Sequence, residues 1–452
     1  MCNQIQAIDL LTTTRLDIVA RIPLARALIN GRGLTWGVHV YTEYLIAMTS
    51  GNYMEDGKSS LADYVREYFQ LVKSIELNGF DSEIGVIPTV DGKVVNGAHR
   101  LATCISLELP VVCTEVTGSP ERQDYELLQK KGLPDHILQY LVLEFVKLKI
   151  SSRAFILLDS SIETLRKILE HFPNPDMVIC VKEIKLTEIG KRRIIDLMYS
   201  HNEWWSIEFL ERFVSERFES GNDNCFVIYF DSLPISNLQL FKEKVRNELP
   251  PSEFNRKLHG TDFHEDTILL SQTTLSDNGI FFLNNSPIGS ESRIIELLDG
   301  SKSSEQVMVG SAPLELFGLR SARDIDLAFD TRDFLDLESL SEIADLSGYG
   351  LSAESLVHDP RLFVRYKNLK FAALSTTIFY KSQRLETKDK EDIALIAKFL
   401  QSDRAIYFSS QVRSAAFVME KSRRRTFLRN YISGMVPNPI KNLIKRILLK
   451  AP

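Results

Sequence analysis

Cysteine is scarce in this chain, and the few cysteines form no pattern. Five are scattered over 452 residues, as Cys2, Cys104, Cys113, Cys180 and Cys225. An odd set with no Cys-x-x-Cys pair argues against a disulfide framework or a cysteine zinc site, and it fits a reducing compartment. No run of about 18 apolar residues occurs, the length a helix needs to span a bilayer, so no membrane span is expected. The opening MCNQIQAIDLLTTTRLD lacks a basic stretch followed by an apolar one, so no secretory signal is expected either, and the expected location is cytoplasmic. Net positive charge is lacking too, the formal value being −6. Yet from Gln411 onward ten Lys or Arg face one acid, Glu420, a balance of +9 that leaves −15 for the rest. An acidic body argues against a broad nucleic-acid surface, so no specific DNA binding is expected.

What is present is ordinary for a globular protein, at 44% hydrophobic and 25% charged residues. The length suggests two to four domains. The order of helical and strand patterns gives a mixed α/β, α+β multi-domain reading. A helical lead-in with a strand–turn–helix unit fills 1–120, and a mostly helical connector 121–176. An α+β module fills 177–285 and a further α/β domain 286–402, with a basic amphipathic tail at 403–452.

The most informative stretch is Val307 to Asp330, VMVGSAPLELFGLRSARDIDLAFD. It reads as a short strand, a Gly310-Ser311 turn, a helix over Ala312 to Phe317 and a second strand over Ile325 to Phe329. Residues i and i+2 of a strand share a face, which puts Asp324 and Asp326 together. Paired carboxylates suit Mg²⁺, a hard cation that keeps waters and bridges substrate phosphates. A glycine turn opening a helix offers backbone N–H groups to phosphate and lets it approach closely. The pattern resembles the DNA polymerase beta-type nucleotidyltransferase signature: Gly-Ser, a spacer (here Ala312 to Arg323, 12 residues), then Asp-x-Asp. The resemblance implies a nucleoside triphosphate substrate and Mg²⁺ or Mn²⁺ held by Asp324 and Asp326 as catalytic and metal residues. Gly310 and Ser311 would cradle the triphosphate. Arg320 and Arg323 either reach phosphate or stay in solvent. Lys381 and Arg384, if helical, share a face over the substrate or form a solvated basic face. Many such enzymes carry a third carboxylate on a following strand. Here LFVRYKNLKFAAL offers Arg365, Lys367 and Lys370 instead, and the nearest acids are Asp333 and Asp359.

Earlier in the chain, helices are expected at TRLDIVARIPLARALI, with Thr14 as N-cap, and at Leu61 to Leu77, stopped by Asn78-Gly79. Strands at 84–90 and 93–95 are joined by an Asp91-Gly92 hairpin turn. Asn96-Gly97-Ala98-His99-Arg100 then opens a helix, offering turn amides, His99 and Arg100 to phosphate. A strand follows at Val111 to Val116. This segment resembles the ParB/sulfiredoxin-like fold, which implies a nucleotide or phosphate site at Asn96, Gly97, His99 and Arg100. Ala98 stands where sulfiredoxin has its reactive cysteine.

Leu258-His259-Gly260-Thr261-Asp262 resembles the His-Gly-Ser-Asp turn of nucleoside diphosphate kinases, which would make His259 a phosphate-accepting nucleophile; the plainer reading is a turn capped by Asp262. The tail alternates Ile440, Leu443, Ile444, Ile447 and Leu448 with Lys441, Lys445, Arg446 and Lys450. That pattern suits peripheral contact with an anionic membrane surface, or docking on the acidic body.

RLDIVAR, NGAHR, HGTDFHEDT and GSAPLELFGLRSARDIDL together resemble proteins of bacterial capsule and lipopolysaccharide gene clusters. The resemblance implies transfer of a nucleotidyl or phosphoryl group to a sugar or glycan acceptor in surface polysaccharide biosynthesis. Two alternatives stay open: a ParB-like nucleotide-binding regulatory protein with a degenerate transferase domain, or a nucleotidyltransferase that modifies RNA or protein.

Overall fold

Among the described residues the strands form three four-stranded sheets. The computed structural model describes residues 3–54, 57–82, 85–200, 202–218, 221–233, 235–247, 249, 257–297, 306–330, 353–384 and 386–400. It is mixed α+β, as expected. The basic tail and Asp333 lie outside the described residues.

The first sheet holds β1 (Asn3–Gln6), β2 (Ile87–Val90), β3 (Lys93–Val94) and β4 (Pro110–Glu115) in the order β1-β4-β2-β3. β2 and β4 run parallel and the other pairs antiparallel. The hairpin turn is where Asp91-Gly92 placed it, with φ of 49° and 71°, the left-handed region such a two-residue loop demands. Helix Ala98–Ser106 connects the hairpin to β4. Helix Leu61–Asn78 ends at Gly79, whose φ is 75°.

Helix Leu16–Asn30 is the hub of this half and packs against four other helices. Eleven of its residues are buried, among them the charged Asp17 and Arg21. Thr14 does not cap it. Arg15 occupies the N-cap position without a side-chain cap. A strand-like bridge sets the start instead: Leu16 N donates to Gln123 O at 3.0 Å, and Gln123 N to Thr14 O at 2.8 Å.

The second sheet holds β5 (Ser152–Leu158), β6 (Val178–Lys185), β7 (Asn224–Asp231) and β8 (Leu258–Gly260), ordered β6-β7-β5-β8 and antiparallel throughout. Its β5 lies in the stretch 121–176 read as a connector and pairs with β7 and β8 of the module read over 177–285. Alternation explains how one sheet serves two cores. Ala154, Ile156, Leu158, Val227 and Tyr229 face the main core. Phe155, Leu157, Phe226, Ile228 and Phe230 face a second, aromatic one.

The third sheet holds β9 (Gln306–Met308), β10 (Leu327–Phe329), β11 (Phe363–Tyr366) and β12 (Leu369–Ala372), ordered β10-β9-β12-β11. β9 and β12 are parallel and the outer pairs antiparallel. Helices Leu374–Arg384 and Thr387–Leu400 follow it and pack on each other. No helix among the described residues is long and apolar enough to cross a membrane.

Candidate functional site

The Gly310-Ser311 turn and the Asp-x-Asp acids meet at the end of the β9–β10 pair. β9 stops at Met308, and Gly310 takes φ 64° before the short helix Ala312–Leu316. Val309 N donates to Asp326 O at 2.9 Å, locking the turn to the acid-bearing segment. A β-carbon at residue 310 would overlap Oδ2 of Asp326 and lie 3.2 Å from its Cγ. Only glycine leaves that space open.

The strand itself is shorter than its sequence pattern suggests. β10 begins at Leu327, so Asp326 stands just ahead of it and Asp324 lies in an exposed bend. Pairing ends there because the opposing chain turns away at Gly310, one residue past the Leu327–Met308 pair and Val309. The two acids still feel each other. Burial, with Asp324 as the next cause, raises the Asp326 carboxyl above its ordinary range, and Arg384, Lys388 and Lys381 partly offset this. A half-buried carboxylate beside a second, exposed one is relieved by a cation, and Mg²⁺ commonly takes only one or two carboxylates, leaving the rest of its shell to water and phosphate. Asp324 and Asp326 are the residues that could hold such an ion. No group of three or more His, Cys, Asp or Glu arranged for a metal occurs among the described residues.

The expected phosphate-binding cations are largely engaged elsewhere. Lys381, 2% exposed, reaches Asp389 at 3.2 Å and Asp392 at 2.7 Å. Arg384 pairs with Asp389 at 2.8 Å. Arg320 forks onto Asp392 at 2.6 and 2.8 Å. Arg323 is exposed and Ser311 buried. Sequence reasoning missed Asp389 and Asp392. The signal was present: in helix Thr387–Leu400 the buried positions are Asp389, Asp392, Ile396 and Leu400, one helical stripe that begins with two acids.

β11 and β12 contribute no third carboxylate. Lys370 is buried and donates to Val357 O at 2.7 Å, Lys367 sits in the hairpin turn at φ 47°, and Asp359 is clamped by Arg361 at 2.7 Å.

The second candidate turn adjoins the first sheet, whereas Asp326 adjoins the third. Gly97 adopts φ 91° as N-cap of helix Ala98–Ser106, and Asn96 Oδ1 accepts its N–H at 2.6 Å. Arg100 folds back across the turn. A β-carbon at Gly85 would overlap its Nη1, and one at Gly97 would lie 3.2 Å from its Nη2. His99 points inward: its Nε2 is 2.7 Å from the Tyr41 hydroxyl, and its ring meets Tyr68 edge-on at 4.8 Å. Burial, with Arg21 and Lys58 adding to it, holds its pKa well below the usual value, so the ring is neutral. Of this turn, Arg100 lies against Gly85 and Gly97 while His99 braces the packing.

His259 is on β8 of the central sheet. Its Nδ1 is 3.2 Å from the Tyr199 hydroxyl, and its pKa is pulled down to about 3, chiefly by burial and next by Lys242. Asp262 is not the helix cap. Phe263 holds that position and Asp262 pairs with Lys242. His264 Nε2 lies 2.6 Å from Val146 O, which ties that helix to the one over Asp135–Leu148.

No family model matches this chain, and neither a curated protein nor a solved structure does.

Proposed function

We propose that this protein transfers a nucleotidyl or phosphoryl group from a nucleoside triphosphate to a sugar or glycan acceptor, in the manner of the nucleotidyltransferases its Gly-Ser and Asp-x-Asp segments resemble. The observation that carries the proposal is the juxtaposition of Gly310 with Asp326. A left-handed glycine turn and a carboxylate of raised pKa share one small space. In this reading the Gly310–Ser311 backbone seats the triphosphate, and Asp324 and Asp326 hold Mg²⁺. That ion would neutralise charge developing on the phosphates. Lys381, Arg384 and Arg320 add a positive field rather than direct phosphate contacts, because their guanidinium and ammonium groups are occupied by Asp389 and Asp392. The turn at Asn96 to Arg100, in its ParB/sulfiredoxin-like setting, would take a second nucleotide or a phosphorylated acceptor. The basic tail would bring the protein to the inner face of a membrane.

One observation favours a second reading, a nucleotide-binding regulator without transfer: β11 and β12 present Arg365, Lys367 and Lys370 where a third carboxylate would stand. Calorimetry with each nucleoside triphosphate and Mg²⁺ separates the two. The samples are wild type, the double variant Asp324→Asn with Asp326→Asn, and the double variant His99→Ala with Arg100→Ala. Loss of Mg²⁺-dependent binding in the Asp variant supports the transferase site. Loss in the His-Arg variant alone moves the nucleotide to the first sheet and removes the transfer reading.

A further inference from the structure

The helix opened by the Gly310-Ser311 turn is too short to hold itself. Ala312–Leu316 is five residues long, little more than one turn, and helices of that length are unstable alone in water. It is fastened from outside instead. At its C-terminal end the Leu316 carbonyl oxygen lies 2.5 Å from the Ser286 hydroxyl and 2.7 Å from that of Ser290.

A second fastening ties this helix to the acid-bearing segment. Glu315, 6% exposed, accepts the Ala322 N–H at 2.5 Å through Oε2. Arg293 forks onto the same carboxylate at 2.8 and 2.6 Å and donates to the Ala322 carbonyl as well. Arg293, working against burial, holds the Glu315 carboxyl below its ordinary range, so it accepts as a carboxylate. An ionised acceptor makes the stronger bond. Ala322, itself buried, is thus gripped at both its N–H and its C=O.

The consequence falls on Asp324. The stretch from Phe317 to Asp326 forms neither helix nor strand, and holding such a loop in one shape has to offset its conformational entropy. Leu319 N–H closes the helix end on Leu314 O at 2.9 Å. Beyond it, Glu315 holds Ala322, and the Val309 N–H holds Asp326 at 2.9 Å. Asp324 stands midway between these two held residues. The Glu315 oxygens serve the donors of Ala322 and Arg293 rather than a cation. Groups that orient a metal ligand without touching the ion commonly govern its affinity.

We propose that Glu315 is a positioning residue for the paired acids: by gripping Ala322 it fixes where Asp324 stands beside Asp326, and Arg293 keeps its carboxylate in place. The use of those acids to hold Mg²⁺ rests on the transfer reading above; their placement by Glu315 does not.

The test has one readout without metal and one with it, both on the full chain. The first is the titration of the Asp326 carboxyl followed by carbon-13 NMR, assigned with Asp326→Asn. Burial and then Asp324 raise it in wild type. Glu315→Leu frees Ala322, loosens the segment and removes both causes, so the titration should fall toward the ordinary value of about 3.9. Glu315→Gln keeps an acceptor for the Ala322 N–H and should lie between wild type and Glu315→Leu. Ser290→Ala weakens the other fastening of the same helix, away from Ala322, and should leave the titration in place. The second readout is Mg²⁺ affinity by calorimetry, expected to weaken roughly 10–100-fold in Glu315→Leu. If wild type binds no Mg²⁺ while the titration moves as stated, the transfer reading falls and the positioning role stands. An Asp326 titration unaltered in Glu315→Leu, a Gln variant no better than the Leu variant, or an equal fall in Ser290→Ala overturns the proposal.

Discussion

Gly310 faces Asp326 so closely that no larger residue fits between turn and carboxylate without displacing one of them. Gly310→Ala therefore meets two penalties. The left-handed φ of 64° costs an L-residue about 1–2 kcal/mol, and the new methyl group collides with Asp326. The expected outcome is a loss of stability of about that size together with a loss of Mg²⁺-dependent nucleotide binding. Thermal melts and calorimetry check both. An alanine variant that binds as wild type would show that the turn plays no part in the site.

Under the proposed function, the raised pKa of Asp326 has a defined consequence for metal binding. A cation needs the ionised carboxylate, so protons compete from a pH above the ordinary Asp value of about 3.9. Affinity for Mg²⁺ should fall as pH drops through that raised value. Burial is the leading cause of the shift and Asp324 the next. Asp324→Asn should therefore move the break to lower pH even as it weakens binding. Titrating Mg²⁺ affinity against pH in both proteins tests the sign, and a break moving upward would refute it.

These two residues were legible before any fold was known, because their chemistry is local. A glycine turn and an i, i+2 pair of acids are read from adjacent positions, and so are the Asp91-Gly92 hairpin and the Gly79 stop. What surrounds them was not legible. Lys381, Arg384 and Arg320 look like phosphate ligands in one dimension, yet the chain brings Asp389 and Asp392 against them. Only the helical stripe running from Asp389 to Leu400 hinted that these acids are buried. Thr14 resembled a cap until the distant Gln123 bridged its neighbour. The pocket lined by Asp135, Asp277 and Arg361 is wholly non-local, so no motif announces it.

The ion pairs on helix Thr387–Leu400 carry their own pH signature. Arg384, against an opposing contribution from burial, holds Asp389 down to about 2, with Lys381 assisting. A depressed carboxylate pKa stabilises the fold above the unfolded value, near 3.9. That contribution disappears as pH falls from about 4 toward 2. Hydrogen-exchange protection factors of residues 387–400, taken relative to intrinsic exchange at each pH, should fall across this window in wild type. In Asp389→Asn the same amides should be less protected at pH 7 and show less change on acidification. An unchanged acid profile in that variant would mean that another group governs the helix.

The second and third sheets are joined by a buried ion pair whose partners cannot be separated cheaply. Arg193, 0% exposed, forks onto Glu291, 4% exposed, at 2.7 and 3.1 Å. Its other donors reach the carbonyl of Ser286 at 3.2 Å and the Ser286 hydroxyl at 3.0 Å, and the guanidinium stacks over Phe282 at 4.9 Å. The Tyr366 hydroxyl on β11 lies 3.2 Å from Glu291 Oε1. Burial alone would raise the Glu291 pKa, but Arg193 more than reverses it and keeps the carboxylate ionised. Removing one partner leaves the other charged and dry, a loss of about 3–5 kcal/mol for pairs of this type, whereas replacing both with apolar residues is often near neutral. Glu291→Leu should therefore be far less stable than wild type in denaturant unfolding, and Arg193→Met with Glu291→Leu should recover most of the loss. Additive losses in the double variant would show that the two side chains act separately, and that the junction between these sheets is held by packing alone.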